Sequence, residues 1–281
     1  MKDWRMLLAA LFALAVAAGA RAQDAPKSAR SLVLATTTSV RDSGLMDELL
    51  PLFTKQTGIK PQLVAVGSGA ALRMGEEGNA DVLVTHEPDG EKAALERGTL
   101  VDRHEFMENY FVLVGPPGDP AGVAKAKDAV EAIALIVERR APFASRADES
   151  GTFKREQALF KQAGLDASAS WPGLMKTGAG MGATLQVAGE KGAYALSDVA
   201  TFRAFQARTG LVAYSKPDPA LRNVYSVLRP NPDKFPNRVD VAGAERFRDF
   251  LLSRDTQARI AAFGGSGGSL FTPLALDKTA P

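Results

Sequence analysis

"LVLATTTSVRDSGLMDELL", residues 32–50, is the stretch on which the fold turns. Leu32, Val33 and Leu34 form a short apolar run of the kind that makes a buried strand. Four hydroxyls follow: Thr36, Thr37, Thr38 and Ser39. Beyond Gly44, apolar residues recur at helical spacing (Leu45, Leu49, Leu52 and Phe53). The order is strand, hydroxyl-rich turn, helix. Hydroxyls in such a turn can finish a strand, cap a helix or donate to a ligand.

The same local design returns along the chain. "QLVAVGSGAALRMGEEG" (62–78) runs from a strand through Gly67, Ser68 and Gly69 into a helix. "PFASRADESGTFKREQALF" (142–160) runs from a strand through 145–152 into another. "KTGAGMGATLQVAGEKG" (176–192) offers a fourth glycine-rich turn before a helix. The first N–H groups of a helix lack intrahelical partners, and the helix dipole places partial positive charge there. In open α/β sheets, ligands bind beyond the carboxyl ends of the strands. Each turn taken alone is explained by N-capping, and Arg146 beside Asp148 by an ordinary ion pair. Several such turns together fit a cage for a small oxyanion, with Arg146 as a charged fork.

Between these turns, strands and helices alternate. Strands are expected at 31–35, 62–66, 80–85, 110–115, 143–145, 193–196, 212–214 and 224–228. Helices are expected near 44–53, 70–77, 124–139, 151–163 and 241–263. The alternation predicts an α/β fold with largely parallel sheets. Proline-rich breaks at 116–120 (PPGDP) and 216–219 (KPDP) predict an inserted second lobe. The expected organisation is a first lobe over 31–115, a second over 116–220 and a return to the first over 221–281.

The opening residues read differently. Lys2 and Arg5 precede an apolar run, and Ala20-Arg21-Ala22 gives a small-residue cleavage pattern. Residues 1–22 are expected to be a cleaved signal peptide and 23–30 a disordered lead-in. The chain has no cysteine, which excludes disulfides, thiolate metal sites, cysteine nucleophiles and a lipidated N-terminus. A soluble, non-lipidated periplasmic protein is the expectation. The formal charge is +2; without 1–22, which carries Lys2, Arg5, Arg21 and Asp3, the chain is near neutral. No block of like charge supports nucleic-acid binding. No phosphate-cradling P-loop or HExxH pattern is present. His86 and His104 lie too far apart to form a compact metal motif, so no metal centre or cofactor is expected. Trp171 can be core or cleft rim, and His86 reads as a hydrogen-bonded rim residue as readily as a functional one.

These motifs resemble a known family. "SRADESGT" (145–152) is similar to a segment of periplasmic phosphate- and oxyanion-binding proteins. "ATTTS" (35–39), "VAVGSGAAL" (64–72), "ADVLVTH" (80–86), "YFVLVGPPGDPAG" (110–122) and "GAGMGATL" (178–185), with "NVYSVLRPNP" (223–232) and "LFTP" (270–273), look like the tungstate-binding subunit of bacterial tungstate ABC importers. The resemblance implies a two-lobed type II periplasmic binding fold, each lobe a mostly parallel sheet flanked by helices. It implies capture of tungstate, or molybdate, for an inner-membrane ABC permease, by a protein expected to be monomeric and not an enzyme. The implied ligand-binding residues are Thr38, Ser39, Ser68, Gly69, Arg146, Ser150, Gly151 and Thr152. Asp148 matches the position that holds the arginine in the phosphate proteins. His86 stands where those proteins carry an acceptor aspartate, which favours a fully ionised anion over phosphate. Another oxyanion (molybdate, sulfate or phosphate) is the alternative ligand. An exported phosphoester hydrolase using Ser39 or Ser68 is the alternative class, although no base is evident beside either serine.

Overall fold

The computed structural model describes residues 31–148, 150–165, 170–215, 218–264 and 268–276. The expected signal peptide at 1–22 and the lead-in at 23–30 lie outside the described residues, as does Glu149 of the 145–152 turn.

The hydroxyl-rich stretch makes β1, Leu32–Thr37, and then α1, Thr38–Asp42. A longer helix, α2 (Leu45–Thr57), leads to β2 (Pro61–Val66), α3 (Ser68–Glu76), β3 (Val82–Thr85) and α4 (Pro88–Glu96). β1 pairs in parallel with both β2 and β3, Leu34 facing Leu63 and Ala35 facing Leu83. Alternate residues of these strands enter different cores. Leu32, Leu34, Val82 and Val84 pack with Phe53, Phe106, Phe247 and Phe250 on one face. Ala35 and Leu83 pack with Leu72, Ala94 and Leu100 on the other. Strands buried on both faces carry near-continuous apolar runs, which is why "LVLA" and "VLV" read so clearly.

β4, Leu100–Gly115, is the longest strand described here. Its residues Phe106 and Met107 belong to the first core, while Phe111 to Val114 divide between two further clusters. Those clusters are built from later elements: α5 (Ala129–Glu138), β5 (Phe143–Ser145), α6 (Gly151–Gln162), β6 (Leu174–Lys176), α7 (Met181–Lys191), β7 (Ala195–Asp198), α8 (Val199–Thr209) and β8 (Val212–Ala213). β9, Arg222–Pro230, brings the chain back: Leu221 lies in the second set of clusters, and Tyr225 and Val227 lie in the first core. α9 (Val241–Leu252), α10 (Arg254–Ala262) and β10 (Thr272–Pro273) complete it. The architecture is thus two α/β lobes joined by two crossing strands.

Several expectations are refined. The sheets are mixed: β5 with β6 and β1 with its neighbours are parallel, but β4 pairs antiparallel with β7, β8, β9 and β10, and β3 antiparallel with β9. The cause is the pair of crossing strands, which run in opposite directions. The strand expected at 110–115 begins ten residues earlier, at Leu100. The last helix breaks at Ser253, whose side chain accepts from Thr256 N and starts α10. The helix near 124–139 begins as a 3-10 turn, Val123–Lys125, before α5. α4, α8 and β6 were not foreseen. Trp171 is core, its Nε1 donating to Ala141 O at 2.8 Å. Among the described residues no helix is long and apolar enough to cross a membrane.

Candidate functional site

Three strand-to-helix turns meet between the lobes. In the first, Thr36 Oγ1 donates to Val84 O (2.9 Å) and Thr37 Oγ1 accepts from Val40 N (3.2 Å). Thr36 therefore ties off the strand and Thr37 caps α1, leaving Thr38 and Ser39 as the first helical residues. Ser39 is buried, and its carbonyl accepts from Thr201 Oγ1 at 3.2 Å. In the second turn, Gly67 is an N-cap without a side chain, so Ser68 and Gly69 open α3 with no side-chain cap. In the third, Ser150 caps α6 by accepting from Phe153 N (3.1 Å), and Gly151 and Thr152 follow. Gly151 N donates to Ser68 Oγ at 3.3 Å, joining the second turn to the third. A Cβ at Gly151 would sit 3.1 Å from the His86 carbonyl and 3.2 Å from its ring, so glycine permits this approach.

Arg146 lies at the junction. It is 1% exposed, and its Nη2 reaches Asp148 Oδ2 (2.5 Å) and Thr38 Oγ1 (3.5 Å). Its Nε and Nη1 are buried and have no hydrogen-bond partner among the described residues. The same holds for Thr152 Oγ1, which is fully buried. Burying a charge or a donor without a partner costs several kcal/mol, on the order of 1–3 kcal/mol for each unsatisfied donor. Buried donors without partners on Arg146 and Thr152 suit a ligand that accepts hydrogen bonds and carries negative charge.

Asp148 pairs with Arg146, and the other ionisable groups nearby do not add a second counter-charge. Glu156 on α6 is 1% exposed and accepts from Ser145 Oγ. Burial pushes its carboxyl up to about 8, against the hydrogen bonds from Ser145 and the Arg146 amide, with Asp148 raising it further. At neutral pH it is protonated and does not neutralise Arg146. His86 is 4% exposed, and burial lowers its pKa to about 4; its hydrogen bond with Asn223 opposes the shift and Arg146 adds to it. His86 Nδ1 lies 2.9 Å from Asn223 Oδ1. Asn223 Nδ2 donates to Asn109 Oδ1 and to Tyr225 OH (2.9 and 2.8 Å), so its Oδ1 accepts and the neutral His86 carries its proton on Nδ1. Asn109 and Asn223 are partners on the crossing strands β4 and β9. His86 is thereby tied to the hinge.

The turns bring Thr38, Ser68, Arg146, Gly151 and Thr152 together. Ser39 follows Thr38 in α1 and is buried, and Gly69 sits in the first turn of α3. The Ser150 hydroxyl donates to Asp148 Oδ1 and accepts from Phe153 N, so it frames the loop. The fourth glycine-rich turn also arrives, for a Cβ at Gly180 would lie 3.4 Å from Thr38 Cβ. Sequence reasoning missed Glu156, which looks like an ordinary polar position of an amphipathic helix, and Asp42, whose Oδ2 accepts from Gly182 N at 3.2 Å. Among the described residues no group of three or more His, Cys, Asp or Glu is disposed to hold a metal ion.

Two α/β lobes joined by two crossing strands are the architecture of a type II binding fold. A family profile described as a PBP superfamily domain matches residues 16–255. Tungstate-binding protein TupA of Peptoclostridium acidaminophilum is 39% identical over 98% of this chain and 99% of its own. The structure of the tungstate ABC transporter from Geobacter sulfurreducens matches with a TM-score of 0.76 at 40% identity, covering 83% of this chain and 99% of that one. TupA from Desulfovibrio alaskensis G20 gives a TM-score of 0.73 at 40% identity, over 87% and 99%. The chain belongs to the PBP superfamily and, within it, to the family of these tungstate-binding proteins.

Proposed function

We propose that the protein captures tungstate in the periplasm and delivers it to an ABC permease of the inner membrane, with molybdate as the nearest alternative ligand. The observation that carries this reading is Arg146, buried with Nε and Nη1 unpartnered among the described residues, with Thr152 Oγ1 likewise buried and unpartnered. A tetrahedral dianion supplies the acceptors these groups lack, and a guanidinium fork suits two of its oxygens. The proposed contacts are Arg146, the hydroxyls of Thr38, Ser39, Ser68 and Thr152, and the helix-opening amides around Gly69 and Gly151. Ser150 holds the loop in shape. Phosphate at neutral pH retains a proton and needs an acceptor; neutral His86, bound to Asn223, offers no carboxylate at that position.

The lobes are taken to be 31–115 with 221–281, and 116–220. Closure is favoured because the anion engages donors from both lobes and so binds the closed state better than the open one. The reading is of binding without turnover, by a monomer that is exported, not lipidated, and needs no nucleic acid or cofactor. Competition calorimetry on the purified protein with tungstate, molybdate, sulfate and phosphate tests it. Tungstate is expected to bind one to one and to displace sulfate and phosphate. Tight phosphate binding with no response to tungstate would sink the proposal. Hydrolysis of a phosphate ester, abolished by Ser68→Ala, would replace it with the enzymatic reading.

A further inference from the structure

Two acidic side chains cross between the lobes without joining the anion cage. Asp42 ends α1, whose Val40 packs in the first core. Its Oδ1 pairs with Arg41 of the same lobe at 2.7 Å, and its Oδ2 accepts from Gly182 N at 3.2 Å. Gly182 is the second residue of α7, whose Met181 and Leu185 pack in the second lobe. The N-cap of α7 is Gly180, which has no side-chain cap hydrogen bond to offer. A carboxylate of one lobe thus caps a helix of the other, where the helix's own sequence leaves the position open.

The second crossing is at α6. Lys154 Nζ pairs with Glu87, which follows β3. Lys154 rides on the helix whose Leu159 and Phe160 lie in the second lobe. Glu87 is held in place from its own side, since its amide donates to Glu91 Oε1 (3.0 Å) and Glu91 in turn is fixed by Thr85 Oγ1 (2.7 Å) and Arg103 Nε (2.8 Å). Lys154 is 53% exposed and the Glu87 side chain 7% exposed.

Both acids belong to one lobe, and both positive partners belong to the other. Neither contact uses a donor of the cage, so neither competes with the anion. Both exist only while the lobes are together, so their free energy biases the open–closed equilibrium directly. We propose that Asp42 and Glu87 are positioning residues that latch the closed form and set the rate of anion release. The latch rests on the binding reading for its role in release, but its effect on lobe closure does not depend on which anion binds.

The test uses the full chain, with tungstate as the probe. Lys154→Ala removes an exposed side chain and leaves the fold alone. It is expected to speed tungstate release about two- to five-fold, the range of a partly exposed ion pair. Asp42→Ala is expected to speed release about two- to thirty-fold, the range of a lost N-cap, and Asp42→Asn, which keeps an acceptor oxygen, to restore most of it. Small-angle scattering of the ligand-free variants should show a larger radius of gyration than the parent, a readout that a merely structural role would not move. Unchanged release together with unchanged scattering in Lys154→Ala and Asp42→Ala would overturn the latch. Should the parent fail to bind tungstate while both variants still expand, the latch stands and the ligand reading falls.

Discussion

Arg146 and Arg103 are the molecule's two contrasting treatments of a cation near the end of β3. Arg103 is 20% exposed and donates from Nε to Glu91 (2.8 Å) and from Nη1 to Glu105 (3.1 Å). Its main partner is fully buried and also accepts from Thr85 and from the Glu87 amide. Arg146 is the more buried of the two, at 2% for its side chain, yet it has one carboxylate partner and two idle donors among the described residues. If folding alone set these environments, the deeper cation would be the better matched, because desolvation weighs most heavily there. On the proposed reading, the inversion separates a cation that belongs to the scaffold from one that awaits a ligand.

The sharpest way to break that contrast is to remove each arginine in turn. Arg146→Ala is expected to weaken tungstate binding by about 2–5 kcal/mol, read by calorimetry. The melting temperature of the ligand-free protein should hold or rise, since an under-matched buried charge is gone. Arg103→Ala is expected to do the reverse. Leaving Glu91 buried without its cation lowers stability by about 3 kcal/mol, read by denaturant unfolding, while tungstate affinity changes far less. A melting loss in Arg146→Ala alongside lost binding in Arg103→Ala would erase the distinction.

A finer cut compares two neighbours in one loop. Thr152→Val keeps the shape and deletes a buried hydroxyl that has no partner among the described residues. Affinity should fall by about 1 kcal/mol, the scale of one net hydrogen bond, with stability not reduced. Ser150→Ala deletes a hydroxyl that caps α6. Stability should fall by about 1 kcal/mol, and affinity should change less than in Thr152→Val. Equal binding losses in the two variants would place Ser150 in the cage after all.

How far these roles could be read from sequence depends on the signal each leaves. Leu32–Leu34 and Val82–Val84 were legible because burial on both faces removes polar residues from the strand. Thr38, Ser68 and Gly151 were legible because small and hydroxylated residues recur where strands meet helices. The first half of β4 was not. Asp102, Arg103, His104 and Glu105 form a charged run that reads as solvent loop, yet it pairs with β9 through two register shifts. Asp102, at φ 59, turns the strand there, and its carboxylate gathers His104, Arg229 and Arg248. A strand stabilised by ion pairs carries no apolar alternation to detect. The division of labour between Ser150 and Thr152 was equally hidden, since both are hydroxyls at a helix start and only the placement of Asp148 decides which is committed to the scaffold. Glu156 and Asp42 act through partners distant in sequence, so no local pattern announces them.

Glu156 gives the smallest effect on binding at neutral pH and the most specific one at alkaline pH. Its folded pKa, about 8, lies above the ordinary 4.5. The folded protein therefore holds a proton that the unfolded chain releases, and stability declines as pH rises from about 4.5 towards 8, then levels off. Glu156→Gln removes this term, so the variant should match the parent near pH 4 and exceed it in melting temperature by a margin that grows as pH rises towards 8. Binding follows the same proton. The groups facing Glu156 are the Ser145 hydroxyl, the Arg146 amide and guanidinium, and Asp148. Ionisation above pH 8 places a negative charge beside Arg146 and opposes a dianion, while the bound dianion favours the protonated acid. Tungstate affinity in the parent should thus fall as pH passes 8, and the Glu156→Gln profile should stay flat. His86, whose pKa is lowered to about 4 from 6.5, titrates across an overlapping range with the opposite sign. Its neutral folded form makes stability fall as pH drops from about 6.5 towards 4, a limb that the Glu156 proton offsets in the parent and that should stand alone in Glu156→Gln. A parallel alkaline decline in both proteins would remove Glu156 from the site and leave Arg146 under-matched for a reason other than the protonated acid beneath it.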